Sequence, residues 1–381
     1  MDALKIRLKA EARRIGFDLV GVTSPDPPPH FEVYEQWLHA GRHGAMRYLA
    51  SERAREHRRD PRRIMPQCRS ILVLASNYHT SPDPEERSSE ARVAAYARGD
   101  DYHDVFQERL AGLMGFIQAD VGHTVEYRIY TDTGPLLEKE LAQRAGLGWI
   151  GKNTCLIHPQ MGSYFLLAEI LLDLDLPPDD PFSHDRCGSC RRCLDACPTG
   201  CILPNRTLDA SRCLSYLTIE LKEAIPRESR TALGNWVFGC DICQQVCPWN
   251  QRFARTKQDP PFQSRPFLES PNLTAFLELD EEGFREELQG SPLKRAKRRG
   301  LMRNAAIVAG NTGAKRYVSA LVHILREDPH VVLRSHAAWA LGEIGGEEAR
   351  QALQSALDSE SEAIVVEEIE FALGDLIASS G

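Results

Sequence analysis

The stretch Cys187-Gly-Ser-Cys190-Arg-Arg-Cys193-Leu-Asp-Ala-Cys197-Pro198 decides how the rest of the chain is read. Its spacing, C-x2-C-x2-C-x3-C-P, is that of bacterial ferredoxins, in which three thiolates surround one 4Fe–4S cube and the fourth reaches a neighbouring cube. A second run, Cys240-Asp-Ile-Cys243-Gln-Gln-Val-Cys247-Pro248, repeats the ending with one cysteine fewer. Two cubes need eight thiolates and the two runs hold seven. Cys213, in Ser211-Arg-Cys213-Leu, is the candidate for the eighth, with Cys201 as its rival. Crossed ligation assigns Cys187, Cys190, Cys193 and Cys247 to one cube and Cys197, Cys213, Cys240 and Cys243 to the other. A zinc site needs four ligands and leaves the repeated Cys-Pro ending unexplained. A disulfide framework calls for a secreted chain, which nothing else suggests.

The 381 residues around this stretch suffice for two or three domains with a sizeable core. With 42% apolar and 26% charged residues the chain has the composition of a folded protein, not of a disordered one. A net charge of −8 excludes a generally basic nucleic-acid binder but not a local basic face. The opening, MDALKIRLKAEARRIGFDLVG, reads as an amphipathic helix and a strand rather than an export signal, and no apolar run has membrane-spanning length. Eleven cysteines patterned as metal ligands fit a reducing cytoplasm. Of those outside the cluster set, Cys68 and Cys155 read as buried thiols.

Residues 1–180 alternate helical and strand patterns, which predicts an α/β or α+β domain. Leu4, Leu8, Ala12 and Ile15 share a helical face; Asp18–Thr23 reads as a strand; a helix carries Tyr34, Trp37 and Leu38. Ser70–Tyr78 is a nearly continuous apolar run, expected of a strand buried on both faces, followed by a polar loop over Ser81–Glu90. Further on come a helix over Asp101–Val121, a strand over Thr124–Tyr130, a helix over Pro135–Ala145 and a strand over Ser163–Leu174. No G-x-G-x-x-G opens a βαβ unit, so no dinucleotide site is indicated. Three segments stand out as site-like: Tyr130-Thr-Asp132-Thr-Gly134-Pro135, Gly146-Leu-Gly-Trp-Ile-Gly-Lys152-Asn153, and Asp101-Tyr-His103-Asp104. Each has a plain structural reading as well. Asp132 suits a helix N-cap before Pro135, the glycines suit a close backbone approach, and His103 suits a cap or core position.

Residues 181–255 form the ferredoxin-like segment, 256–289 a linker and packing segment, and 290–381 a repeat array. Ala305-Ala306 and Gly310 recur as Ala337-Ala338 and Gly342, a shift of 32 that also carries Gly313 to Gly345, Leu321 and Leu325 to Leu353 and Leu357, and Leu341-Gly342 to Leu373-Gly374. Such helix pairs bury their faces only by stacking, which predicts a short HEAT-like α-solenoid. Directly before it lies Lys294-Arg-Ala-Lys297-Arg298-Arg299, either a solvated helix face or a nucleic-acid footprint.

Taken together, Asp132-Thr-Gly134, Gly146 to Asn153, Cys187 to Gly200, Arg212-Cys213-Leu-Ser215-Tyr-Leu-Thr218, Gly239 to Pro248 and the C-terminal repeats resemble the epoxyqueuosine reductase family over essentially the whole chain. The resemblance implies an N-terminal cobalamin-binding domain beside two 4Fe–4S clusters. It also implies reduction of an epoxide to an alkene on a modified tRNA wobble base, the last step of queuosine synthesis, with a low-potential electron donor and a monomeric chain. Asp132 matches the family's proposed proton donor, a role that near neutral pH would call for burial beside the corrin. Arg58 (or Arg59 beside it), Asp132, His158 and Ser215 are the candidate cobalamin contacts that the resemblance implies, with Ala94 and Gly162 in comparable segments. For tRNA the candidates are Lys222, Arg227, Arg230, Lys294, Arg295, Lys297, Arg298 and Arg299. A cobalamin-dependent reductive dehalogenase shares the same cofactor pairing but leaves the solenoid unexplained. A pure electron carrier leaves the first 180 residues unexplained, and a repeat scaffold leaves the cluster ligands so.

Overall fold

The structure, a computed structural model, describes residues 2–80 and 90–378. The expected Ser81–Glu90 loop lies outside the described residues except for Glu90. The chain forms two compact units, neither of them a single stretch. The first comprises Met1–Ser81, Gly99–Ser211 and Asp241–Gln263; the second comprises Pro82–Arg98, Arg212–Cys240 and Ser264–Gly381. The ferredoxin-like segment, read from the sequence as one consecutive block, therefore contributes residues to both units.

In the first unit, α1 (Asp2–Arg14) buries Leu4, Leu8 and Ala12, the face their spacing predicts, and leads into β1 (Leu19–Thr23). Next come α2 (Phe31–His39), α3 (Glu52–Arg59) and β2 (Ser70–Asn77). The helix α4 (Tyr102–Val121) starts where the Asp101 side chain accepts the His103 N–H, and it stops at Gly122, whose φ of 74° few other residues adopt. β3 (Tyr127–Tyr130), α5 (Glu138–Arg144) and β4 (Phe165–Leu172) complete the unit's main elements. The sheet order is β1-β2-β4-β3, and every neighbouring pair is antiparallel. All eight residues of β2 are buried, as expected, although the sheet is not parallel. This places the first unit on the α+β side of the expected fold class. One face of the sheet, with Ile71, Val73 and Ala75 of β2 and Leu171 of β4, packs into one core with Leu141 and Ala142 of α5. Gly21 of β1 lies so close to the Ala145 carbonyl, just past α5, that no Cβ fits there.

In the second unit, Arg92–Val93 pairs in parallel with Trp236–Phe238, and the Arg92 guanidinium lies 4.1 Å from the centre of the Trp236 ring. Part of the expected linker is ordered into short helices, Leu273–Leu277 and Glu281–Leu288, with Leu273, Phe276 and Leu277 buried. Then come the five helices of the solenoid: α6 (Lys297–Thr312), α7 (Val318–Glu327), α8 (Val331–Ile344), α9 (Glu347–Leu357) and α10 (Ala363–Ala378). Two buried side chains of α6 moor this array to the rest of the unit. Asn304 donates to the Thr218 and Val237 carbonyls at 2.8 and 2.7 Å. Arg303, 1% exposed, donates to the carbonyls of Leu217, Leu221 and Glu223 at 2.7 to 2.8 Å. Among the described residues no helix is long and apolar enough to cross a membrane.

The 32-residue shift has a direct packing counterpart. A Cβ built on Gly310 would lie 3.1 Å from the Ala340 Cα, and one on Gly342 would lie 3.0 Å from the Ala372 Cα, the same contact one repeat on. Gly374, the next in the series, faces nothing within 4 Å. Gly342→Val should therefore drive methyl groups into α10 and cost about 1–3 kcal/mol, whereas Gly374→Val should not destabilise the array. Thermal melting followed by helical circular dichroism of the two variants checks this, and equal losses at both positions would contradict the packing argument.

Candidate active site and cluster pocket

Four of the cysteines, Cys187, Cys190, Cys193 and Cys247, line one pocket with Lys152, Asn153, Ile157 and Trp249. The Gly146–Asn153 segment builds its wall. Gly148 runs against the Ile157 carbonyl, where a side chain would collide, and this lets Trp149–Ile150 pair with Leu156–Ile157. The Trp149 indole N–H then points at the Cys187 sulfur, 3.5 Å away, and the Lys152 ammonium donates to the Gly188 and Cys190 carbonyls at 2.6 and 2.9 Å. The Lys152 charge thus fixes the loop that carries two of the thiols. Burial, followed by the neighbouring Cys187 and Cys247, pushes the Cys193 thiol up to about 11. Four thiolates crowd here stably only around cations, and iron meets that requirement. Among the described residues no three His, Cys, Asp or Glu side chains converge on a single ion. A cube needs a wider ring of sulfurs than one ion, because its core stands between the ligands.

The other four candidates are not all in one unit: Cys197 and Cys243 belong to the first, Cys213 and Cys240 to the second. The sulfur of Cys201, the rival ligand, lies 3.4 Å from that of Cys197 and is 3% exposed. Cys213 precedes the helix Leu214–Ile219 as its N-cap residue, and Ser215 lies in that helix.

Asp132 sits on the turn after β3 with φ at 55°, a left-handed backbone that costs a non-glycine residue energy. The turn is pinned on both sides. The Thr131 hydroxyl donates to the Leu167 carbonyl at 2.7 Å, and Arg58 donates to the Gly134 carbonyl at 3.3 Å. Gly134 lies flat against the Tyr130 ring. The helix after this turn starts only at Glu138, with Leu137 as its N-cap residue, so Asp132 is not a helix cap. Its side chain is 66% exposed, not buried, and its Oδ2 stands 3.8 Å from Nε2 of His103. The opposite ring nitrogen of His103 meets the buried Asp101 carboxylate at 2.7 Å, leaving Nε2 buried without a partner. Arg58, 9% exposed, spends its donors on long 3.3 Å contacts to the carbonyls of Ala54 and Gly134 and faces the Tyr34 ring.

His158 and Gly162 bridge one another through their backbones. Gly162, at φ 75°, leaves no room for a side chain beside the Asn250 carboxamide. That carboxamide accepts the Ser163 N–H at 2.6 Å and donates to the Ser163 hydroxyl and the Gln244 carbonyl at 2.9 and 2.8 Å. The Ser163 hydroxyl donates to Gln244, which in turn donates to the Tyr78 hydroxyl. A closed network of buried side chains thereby locks the helix after Cys247 to the entrance of β4.

Comparison with known proteins agrees with this architecture. Residues 58–133 match the family model described as "Epoxyqueuosine reductase QueG, DUF1730", residues 186–250 match "4Fe-4S double cluster binding domain", and residues 293–374 match "HEAT repeats". The curated epoxyqueuosine reductase of Xanthomonas campestris pv. campestris is 39% identical over 344 residues, 89% of this chain and 96% of the relative. The chain belongs to the epoxyqueuosine reductase family. Its Pseudomonas aeruginosa relative is 40% identical over 88% of this chain and 92% of its own length. An epoxyqueuosine reductase crystal structure with a tRNA-Tyr epoxyqueuosine-modified stem loop superposes with a TM-score of 0.89 at 31% identity, covering 98% of this chain and 99% of that one. A Bacillus subtilis epoxyqueuosine reductase structure, with its catalytic aspartate loop swung out of the active site, matches equally well in TM-score, identity and coverage. With the family established, the ferredoxin-like segment is a double 4Fe–4S domain and the C-terminal array is a set of HEAT repeats.

The basic residues singled out for RNA are not equivalent. Arg230 is 3% exposed, with its guanidinium on Glu368 at 2.9 Å, so it is an internal ion-pair partner and not a surface cation. Arg227 shares the same Glu368 at 2.6 Å. The Lys222 ammonium donates to the Ile219 and Arg295 carbonyls, Arg298 meets Glu281 and Asp328, and Arg299 donates to the Lys222 carbonyl. Lys294, Arg295 and Lys297 are the exposed members, and Arg295 faces Glu220 at 2.9 Å. The run is also not one helix face: it straddles the boundary between the turn Pro292–Ala296 and α6. Sequence reasoning passed over Glu138 and Glu169 altogether. Glu169 had a signal, as the lone charge in Phe165-Leu-Leu-Ala-Glu169-Ile-Leu-Leu172.

Burial and the nearby Arg255 pull the His158 imidazole down to about 4, and its Nδ1 accepts the Gln160 N–H at 3.2 Å. The ring is therefore expected to stay neutral, with its proton on Nε2, down to about pH 5. An exposed histidine titrates near 6.5, so this site opposes unfolding less as the pH falls from about 6.5 toward 4. Nitrogen-15 NMR of the His158 ring should show no inflection between about pH 5.5 and 8; a midpoint near 6.5 would contradict the burial argument.

Proposed function

We propose that this chain reduces epoxyqueuosine to queuosine at the wobble position of tRNA, with cobalamin as the reacting cofactor and the two 4Fe–4S clusters as its electron supply. The observation that carries this reading is the Asp132 turn, a carboxyl held exposed in a left-handed conformation within reach of His103, in a chain of the epoxyqueuosine reductase family. The relatives named above bear that activity in their names, and one of them holds a modified stem loop.

The reaction consumes two electrons and two protons: both carbon–oxygen bonds of the epoxide break, an alkene forms, and the oxygen leaves as water. Cobalamin, when bound, supplies low-valent cobalt that accepts single electrons from clusters and delivers them to a strained carbon–oxygen bond. The residues present suit such a cofactor, whose rim of amide side chains both donates and accepts hydrogen bonds. Arg58 has donors held by 3.3 Å contacts, and His103 has a buried ring nitrogen that makes no hydrogen bond, with Asp132 the nearest acid at 3.8 Å. Arg58, Asp132 and His158 of the first unit and Ser215 of the second are the proposed contacts. Asp132 is assigned as the acid that protonates the departing oxygen, with His103 holding it toward the reacting centre. In the proposed ligand set, Cys187, Cys190, Cys193 and Cys247 hold one cluster, and Cys197, Cys213, Cys240 and Cys243 hold the other. The exposed Lys294, Arg295 and Lys297 are the proposed phosphate contacts. We place the enzyme in the cytoplasm as a monomer fed by a low-potential donor.

Cluster-reconstituted protein, incubated anaerobically with cobalamin, a low-potential reductant and epoxyqueuosine-containing tRNA, should yield a nucleoside lighter by one oxygen, read by mass spectrometry, and only when cobalamin is present. Asp132→Asn should lower kcat by about 10²–10⁴-fold with clusters and cobalamin retained. No product from protein that holds both cofactors would rule out this substrate. Independently, Lys294→Glu with Lys297→Glu should weaken tRNA binding and flatten its salt dependence by about one unit of log–log slope per lost phosphate contact. An unchanged slope would remove this face from the RNA interface.

A further inference from the structure

Two carboxyl groups beneath Asp132 have no structural use that an apolar side chain would not serve better. Glu169 lies in the middle of β4, paired with Val73 of β2 on one side and Tyr130 of β3 on the other. It is fully buried, and neither of its oxygens has a hydrogen-bond donor. Glu138, the first residue of α5, has one oxygen equally buried and unpartnered. α5, which opens with Glu138, packs into the same core as β4, which carries Glu169, and each of the two carboxyls is raised by negative charge nearby, Asp132 acting on both. Two carboxylates are both acceptors, so a hydrogen bond between them exists only if one carries a proton. The charged groups that face Glu138 are Glu169, Asp132, Lys139 and Arg58; those that face Glu169 are Glu138 and Asp132, with no cation among them. His103 meets Asp132 from the far side.

We propose that Glu138 and Glu169 share one proton and pass it to Asp132, so that the second of the two protons consumed in each turnover comes from inside the sheet and not from solvent. The proposal rests on the reading of Asp132 as the proton donor. The stoichiometry makes a store useful: a single carboxyl passes on one proton at a time, and the reaction takes two. The transfer balances simply. Asp132 releases its proton to the departing oxygen, the shared proton moves to the Asp132 carboxylate and passes in turn to the same oxygen, which leaves as water, and two protons from solvent refill Asp132 and the pair after product leaves. Neither glutamate touches the substrate; both act through Asp132.

Burial, then the negative neighbours, pushes Glu138 up to about 8 and raises Glu169 as well. Folded, the pair stays protonated where an unfolded glutamate would ionise, so its favourable contribution to stability is complete only below about pH 4.5 and is lost as the pH rises toward 8. A residue kept for packing should lose stability when replaced, whereas one kept for its proton should not.

Glu169→Gln, nearly isosteric and able to donate to Glu138, is the main variant. Its melting temperature at pH 7.5 should equal or exceed that of the unmodified chain, and the two should converge near pH 4.5. With cobalamin and epoxyqueuosine tRNA, kcat should fall tenfold or more at constant KM, and the alkaline fall of kcat near pH 8 should disappear. Glu138→Gln should act alike. Infrared spectroscopy of the protein without cobalamin or RNA should show a deuterium-sensitive carboxylic-acid carbonyl band at pH 7. That band should be missing in Glu169→Gln, and in Asp132→Asn, which removes one negative neighbour, it should titrate at lower pH. The proposal is overturned if the band is absent at pH 7, if Asp132→Asn leaves its titration unmoved, or if Glu169→Gln keeps full kcat while Asp132→Asn is inactive. If the unmodified enzyme fails on epoxyqueuosine tRNA, the substrate reading falls, and the infrared titration still decides whether the pair holds a proton coupled to Asp132.

Discussion

The Asn250 carboxamide is the contact on which the first unit's chemistry hangs. It is 6% exposed and fixes both the backbone and the hydroxyl of Ser163. Cys247 stands three residues before it in the chain, and β4 begins two residues after Ser163. One side chain therefore sets the position of a proposed cluster ligand relative to the strand that carries Glu169. The arrangement works because Gly162 has no side chain to oppose the carboxamide, and because Gln244 and Tyr78 satisfy the polar atoms that remain. Every buried group in this knot has a partner, which is the condition under which a polar network makes a protein rigid instead of destabilising it. Rigidity matters here because single electrons and protons cross short gaps, and a displaced ligand would widen them.

The sequence made some of this architecture plain. Cysteine spacing is fixed by cluster geometry, so Cys187, Cys190, Cys193 and Cys247 could be grouped before any coordinates, and they do line one pocket. The 32-residue shift reports a helix-to-helix contact, and Gly310 and Gly342 make that same contact in successive repeats. Burial in β2 was legible from its run of apolar residues, of which Ile71, Val73 and Ala75 enter one core. What stayed hidden was decided by long-range pairing. An unbroken apolar strand looks the same in a parallel sheet and in the middle of an antiparallel one, so the sheet's direction could not be read. Arg230 and Lys294 are both simply cations in a sequence; only the fold turns one onto Glu368 and leaves the other exposed. The ferredoxin-like block reads as continuous, yet its residues are shared by two compact units because the chain returns to each of them.

Asp132 illustrates a different limit. A carboxylate before a proline-led helix is ordinarily a cap, and the local pattern supports that reading. The helix instead begins at Glu138, which frees Asp132 and puts a second carboxyl underneath it. The pattern was ambiguous because capping and catalysis use the same residue type at the same kind of turn. The backbone angle excludes the cap, since a cap takes an extended conformation and Asp132 is left-handed.

Strain in the Asp132 turn and burial in the strand that carries Glu169 are complementary. A left-handed aspartate costs backbone energy, and strain of this kind is kept where a residue is held for function, as proposed for Asp132. A proton store needs burial, because a carboxyl holds its proton near neutral pH only while water is kept away. Glu169 meets that need in the centre of a four-stranded sheet, 0% exposed, with Thr131 hydrogen-bonded to the same strand at Leu167. The Thr131 contact ties the base of the turn to the strand that carries Glu169. Packing alone would have placed leucine at position 169 and glycine at position 132. The residues present cost stability at both sites, and a reaction that consumes two protons in one turnover gives a reason for both departures.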